Sequence, residues 1–119
     1  MELNALRMLD NNPSVLTYGS ESVIIPYTSP LDGRIHRYFV DLVAALKDKT
    51  GVIKKLLIEV KPSKMLLPPV FSNRKSVNTL LYENKQYALN MAKFDAAKQW
   101  CKKHNYTFLV LTEREIAPK

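Results

Sequence analysis

The chain has 119 residues, of which 46% are apolar and 24% charged, and a formal net charge of +7. That length supports one ordinary core and excludes two independent ones, and no apolar run approaches the roughly 20 residues needed to cross a bilayer. Cys101 is alone and cannot form an internal disulfide, and with only His36 and His104 beside it the chain lacks the ligands of a structural zinc site. The excess of Lys and Arg favours polyanionic partners, nucleic acid above all, although a lysine-rich surface that only solubilises has the same composition. Glu2 stands where a signal peptide needs a basic stretch, so the expected compartment is the cytoplasm.

From Glu2 to Leu9, the residues Leu3, Leu6 and Leu9 with Ala5 and Met8 have helical spacing, and Asn11-Asn12-Pro13 stops them. Residues 15 to 27 and 36 to 46 are rich in β-branched and aromatic types around the turn sequence Ser29-Pro30-Leu31-Asp32-Gly33, which predicts two antiparallel strands. Asp48-Lys49-Thr50-Gly51 is a second turn signal, and a third strand follows from Val52 to Lys61 until Pro62 ends its ladder. Lys64 to Ser76, with Pro68-Pro69, reads as an irregular basic loop.

Val77 to Ala88 and Met91 to His104 suit two helices, the second capped by Asn90 and carrying Met91, Phe94, Ala97, Trp100 and Cys101 on one stripe. Cys101 is expected there as a small buried hydrophobe. Thr107 to Thr112 is an apolar run short enough to be a buried strand. The expected order is helix, three strands, helical region and strand, in one domain over residues 1–119, because no linker or repeat divides the chain.

The third strand carries chemistry. A side-chain period of two puts Leu57, Glu59 and Lys61 on one face, so an acid and a lysine project together from an otherwise apolar strand end. Charges are costly there unless they are paired, bind a metal or lie at a functional edge. On the preceding strand Arg37, Phe39 and Asp41 share a face, and Asp41 interrupts an apolar sequence. If the two strands pair in suitable register, Asp41 and Glu59 come within reach of one cation. Two carboxylates, water and the carbonyl of Val60 suit a hard ion, Mg²⁺ or Mn²⁺. An Asp41–Lys61 or Glu59–Lys61 ion pair without catalysis accounts for the same spacing.

Tyr38-Phe39-Val40-Asp41 followed by Ile58-Glu59-Val60-Lys61-Pro62 resembles the D…E-x-K pattern of the PD-(D/E)XK, or restriction-endonuclease-like, nucleases. The chain is similar in particular to the head-completion nucleases of T-even-type tailed phages and to the TnsA-type transposase endonucleases. Leu9-Asp10-Asn11-Asn12-Pro13, Tyr18-Gly19-Ser20-Glu21, Ile25-Pro26-Tyr27, Pro68-Pro69, Asn90-Met91-Ala92-Lys93-Phe94 and Leu111-Thr112-Glu113 also carry the resemblance. It implies an α/β fold of order α-β-β-β-α-β, with a central mixed sheet flanked by helices. It implies Asp41 and Glu59 as metal ligands, Lys61 as the catalytic lysine, and Glu2 as a further metal-holding acid on the first helix.

The implied activity is Mg²⁺-dependent hydrolysis of DNA by an activated water, without a covalent intermediate, in DNA end or branch processing during head completion. The implied partners are DNA, a second copy of the chain and phage head or portal proteins, in the infected cell's cytoplasm or the virion. A transposase-type or junction-resolving nuclease is one alternative, and a non-catalytic DNA-binding virion component of the same fold is another. Arg37, Lys64, Arg74, Lys75 and Lys93 are the candidate DNA contacts, with solvated surface as the plain reading of each. Tyr38 reads as either core or a DNA contact, and Glu21 as either a supporting acid or a solvated neighbour. The mechanism needs neither His36 nor His104.

Overall fold

A computed structural model describes residues 15–20 and 23–116. The expected first helix, with Glu2 and the Asn-Pro turn, lies outside the described residues, as does Glu21. The strands are β1 (Val15–Ser20), β2 (Ile24–Thr28), β3 (Ile35–Phe39), β4 (Leu42–Lys47) and β5 (Ile53–Val60). A single 3₁₀ turn (Ser63–Leu66) follows, then the long helix α1 (Val77–His104), strand β6 (Tyr106–Leu111) and a one-turn helix α2 (Glu113–Ile116).

The fold is α/β with a mixed sheet in the order β1-β4-β5-β6, in which β5 and β6 are parallel and the other pairs antiparallel. Parallel neighbours need a long crossover, and α1 supplies it. Asn105, at φ 60° in the left-handed region, ends α1 by donating its N–H to the carbonyl of Cys101. One residue therefore turns the chain, and α1 lies back along β6.

Three expectations are corrected. The strands expected over 15–27 and 36–46 are each two strands, because the chain leaves the main sheet after β1, forms the separate β2–β3 hairpin and returns at β4. The helices expected on either side of Asn90 are one continuous helix, since no Gly or Pro interrupts 77–104. Its cap is Ser76, whose hydroxyl accepts the N–H of Thr79 at 3.1 Å. Strand β6 is an edge strand whose exposure alternates, so of its six residues only Leu111 is buried.

Two apolar layers lie on opposite faces of the sheet. Leu42, Ala44, Ile58 and Leu111 form one. On the other, Leu57 packs with Ile25, Tyr27, Tyr38 and Val40 from the hairpin and Ala97 and Cys101 from α1. β5, second from the edge and covered on both faces, thus carries Leu57, Ile58 and Glu59 all buried.

Candidate active site

Register brings the two acids together. Leu42 pairs with Ile58 and Val43 with Leu57, so the residue before β4, Asp41, falls opposite Glu59. Directly opposed residues project to the same face, here that of Leu57 and α1. Asp41 has left the ladder, and its Oδ2 accepts the N–H of Val60 at 2.9 Å, where a strand carbonyl would otherwise sit. The expectation that Arg37, Phe39 and Asp41 share one face is corrected, because the chain breaks between β3 and β4. Arg37 and Phe39 are exposed, whereas Tyr38 and Val40 turn inward.

Glu59 is 4% exposed, and both its oxygens are engaged. Its Oε2 accepts a hydrogen bond from the Tyr38 hydroxyl, and its Oε1 lies 3.4 Å from Lys61 Nζ. Burial pushes the Glu59 carboxyl above the usual carboxylate range, and the charge of Asp41 adds to that, while the Tyr38 hydrogen bond and Lys61 pull it back. Burial, then the neighbouring Glu59, push the Tyr38 phenol upward, so it remains a donor.

The strand end is fastened from the C-terminal side. The N–H of Lys61 donates to the carbonyl of Leu111 at 3.0 Å. The N–H of Ser63 donates to Glu113 Oε2 at 2.8 Å, and the Ser63 hydroxyl donates to the same carboxylate. These bonds lower the Glu113 carboxyl below its usual range. α2 thus pins the backbone just beyond Lys61.

α1 supplies the opposite wall. Phe94 meets Phe108 of β6 with ring centroids 5.6 Å apart. One helical turn toward the N-terminus, about 5.4 Å, matches roughly two strand residues, so Asn90 lies level with Val110 and its partner Glu59. Asn90 is 3% exposed, and its Nδ2 has no hydrogen-bond partner among the described residues. Lys93 Nζ stands 5.8 Å from the ring centres of both Tyr27 and Tyr38.

Of the other candidate DNA contacts, Arg37, Lys64 and Arg74 are exposed, and Arg37 stacks on Phe39 at 5.7 Å. Lys75 is engaged, donating to Glu83 at 3.0 Å and to the Val70 carbonyl at 3.1 Å, and so ties the loop to α1. His36 pairs with Asp32 and His104 bonds the Trp100 carbonyl, both at 2.8 Å and both exposed. Cys101 is buried on α1, and burial pushes its thiol up.

Sequence reasoning left Tyr38 between core and DNA contact, missed its bond to Glu59 and gave Asn90 the wrong task. The only signal for Asn90 was a polar residue in phase with Phe94, Ala97 and Cys101 on the buried stripe. Among the described residues no group of three or more His, Cys, Asp and Glu gathers. What gathers is two carboxylates, one of them desolvated and raised by its neighbour's charge, a repulsion that a divalent cation between them would relieve. That donor set fits a hard ion.

No described helix is long and apolar enough to cross a membrane. Residues 12–113 match the family model described as the N-terminal part of TnsA-like endonucleases. The chain is also 33% identical over 108 residues to the head completion nuclease of Enterobacteria phage T4, covering 88% of this chain and 69% of that protein. A match of that extent, on a mixed sheet whose adjacent strand ends present an Asp and a Glu beside a Lys, makes this chain a member of the TnsA-like endonuclease family.

Proposed function

We propose that the protein is a Mg²⁺- or Mn²⁺-dependent DNA endonuclease that processes DNA ends or branches during phage head completion. The observation that carries this reading is the convergence of Asp41, Glu59 and Lys61 at the paired ends of β4 and β5. Asp41 and Glu59 would hold the cation, with the Val60 carbonyl as a further oxygen and Glu2 as the acid the family resemblance adds. When bound, the cation neutralises charge on the scissile phosphate and makes a nearby water a better nucleophile.

The chain's own residues do the rest. Lys61 is half-buried beside Glu59, and its ammonium can neutralise charge as water attacks phosphorus and the leaving sugar oxygen departs. Asp41, by accepting the Val60 N–H, fixes the backbone that aims both Glu59 and Lys61. The low exposure of Glu59 strengthens every electrostatic contact it makes. Arg37, Lys64 and Arg74 offer exposed cations to the DNA backbone, and Lys75 and Lys93 act from more enclosed positions.

A double-strand cut needs two centres, which a homodimer would supply. The name of the phage T4 relative suggests head proteins as partners, and a portal protein would serve the same step, in the infected cell or the virion.

Incubation with supercoiled, linear and forked DNA, in Mg²⁺ and in EDTA, tests the reading. Cleavage with Mg²⁺ only, abolished in a folded Asp41→Ala protein, is the expected result. DNA binding with no metal-dependent cleavage by the wild type would instead mark a non-catalytic virion component, and preference for forked over linear DNA would mark a junction-resolving enzyme.

A further inference from the structure

We infer that Tyr38 is a positioning residue that fixes how Glu59 presents its carboxylate to a divalent cation. The inference rests on the reading of Asp41 and Glu59 as cation ligands.

Tyr38 is 4% exposed on the inward face of the β2–β3 hairpin, which is not part of the main sheet. Its side chain nevertheless crosses the packed layer to place its hydroxyl on Glu59 Oε2. A buried phenol needs a partner, and a buried carboxylate needs donors, so each satisfies the other. Tyr38 sits in the same apolar layer as Leu57, two residues before Glu59. Lys93 faces its ring from α1 at 5.8 Å, so hairpin, helix and sheet all bear on one side chain.

The consequence is an assignment of the two Glu59 oxygens. Oε2 is held by a donor that cannot leave without being orphaned in the core, whereas Oε1 faces Lys61 at 3.4 Å, a longer contact to a half-exposed, flexible side chain. Oε1 is therefore the oxygen open to a cation, which would compete there with the Lys61 ammonium rather than with the tyrosine and would leave Lys61 as a neighbouring neutralising charge. Carboxylate ligands are commonly oriented by such a second hydrogen bond, and losing it typically lowers metal affinity about 10–100-fold.

The test is calorimetric titration of the metal-free full-length protein with Mn²⁺ and Mg²⁺, comparing wild type, Tyr38→Phe and Tyr27→Phe, with thermal unfolding in EDTA alongside. Tyr27 is the control, because its ring is buried in the same layer under the same lysine while Glu59 is bonded by Tyr38. Tyr38→Phe is expected to weaken Mn²⁺ binding about 10–100-fold while staying folded at the titration temperature, with a lowered thermal midpoint because Glu59 Oε2 loses its donor, and Tyr27→Phe to bind as wild type does. Unchanged affinity in Tyr38→Phe overturns the inference, and so does an equal loss in Tyr27→Phe, which would mean that hairpin packing is responsible. If Tyr38→Phe binds normally while Glu59→Ala does not bind, the inference fails and the metal reading stands. If the wild type binds no divalent cation, both fail.

Discussion

Glu59 stands in a buried layer with a charge that three neighbours adjust in different directions, and its behaviour can be separated from theirs. Its folded carboxyl titrates above its unfolded value, because burial outweighs the Tyr38 bond and Lys61. The folded state therefore holds a proton that the unfolded state has released, and metal-free stability falls as pH rises through the window between the two values. Glu59→Gln removes this dependence. In EDTA the thermal midpoint of wild type, taken relative to that of Glu59→Gln at the same pH, should fall as pH rises above the usual carboxylate range, and the variant is also expected to be inactive. Lys61 makes the opposite separation. Lys61→Ala should leave Mn²⁺ affinity at or above that of wild type, because a competing charge on Glu59 is gone, yet lower turnover by about 10²-fold or more, the scale of one transition-state contact; an unchanged turnover would remove Lys61 from the chemistry. Asn90 carries a buried donor without a partner among the described residues, and a buried donor left unpaired costs a fold about 1–3 kcal/mol. Asn90→Ala, which also gains helix propensity, should leave chemical-denaturation stability equal or higher. A loss above about 1 kcal/mol would mean that the amide is satisfied in solution.

Among the elements, α1 shows the sharpest contrast along its own length. Its buried residues are Asn90, Phe94, Ala97 and Cys101, all from the midpoint onward, so the first three turns are held by local bonds. Ser76 caps the helix, Lys75 joins Glu83, and Asn84 bonds back to the Leu80 carbonyl at 2.8 Å. Ser76→Ala should cost about 0.5–2 kcal/mol, and the loss should appear as faster amide exchange over 77–88 with little change beyond Asn90. Uniform acceleration along the helix would contradict the division. The small α2 acts on the site from the other side. Its Glu113 clasps Ser63, and because that carboxyl titrates below its unfolded value, the clasp strengthens the fold above the unfolded value and is lost as pH falls through the depressed one.

Across the molecule, the mixed sheet and its crossover helix set the position of the chemistry. Asp41 lies where the chain re-enters the main sheet from the hairpin, and Glu59 at the end of a strand covered on both faces. Such re-entry points leave backbone groups without ladder partners, and Asp41 takes one of them, the Val60 N–H. The net charge of +7 is a property of the whole surface, and exposed Lys64, Arg74 and Arg37 belong to it. DNA affinity should therefore fall linearly on a log–log plot against salt, and each cation that meets a phosphate should reduce the slope by about 1 when neutralised. Arg74→Gln and Lys64→Gln are suitable variants for fluorescence anisotropy, and an unchanged slope would assign that residue to solvated surface.

The third strand, the long helical region and the last strand were legible as elements because short apolar runs and a period-3.6 stripe mark them, although the edge position that exposes part of β6 was not. The charged residues of that third strand, Glu59 and Lys61, stood out as misfits in an apolar run, and Asp41 did so on the strand before it. The splitting of residues 15–27 and 36–46 into two sheets was not legible, because β-branched runs look alike whether the chain continues in one ladder or crosses to another. For the same reason Tyr38 was readable as aromatic core and not as a donor to Glu59, twenty-one residues away in sequence. Local pattern tells a side chain whether to be buried. Only the packing of hairpin, helix and sheet around it chooses the partner its polar atom finds there.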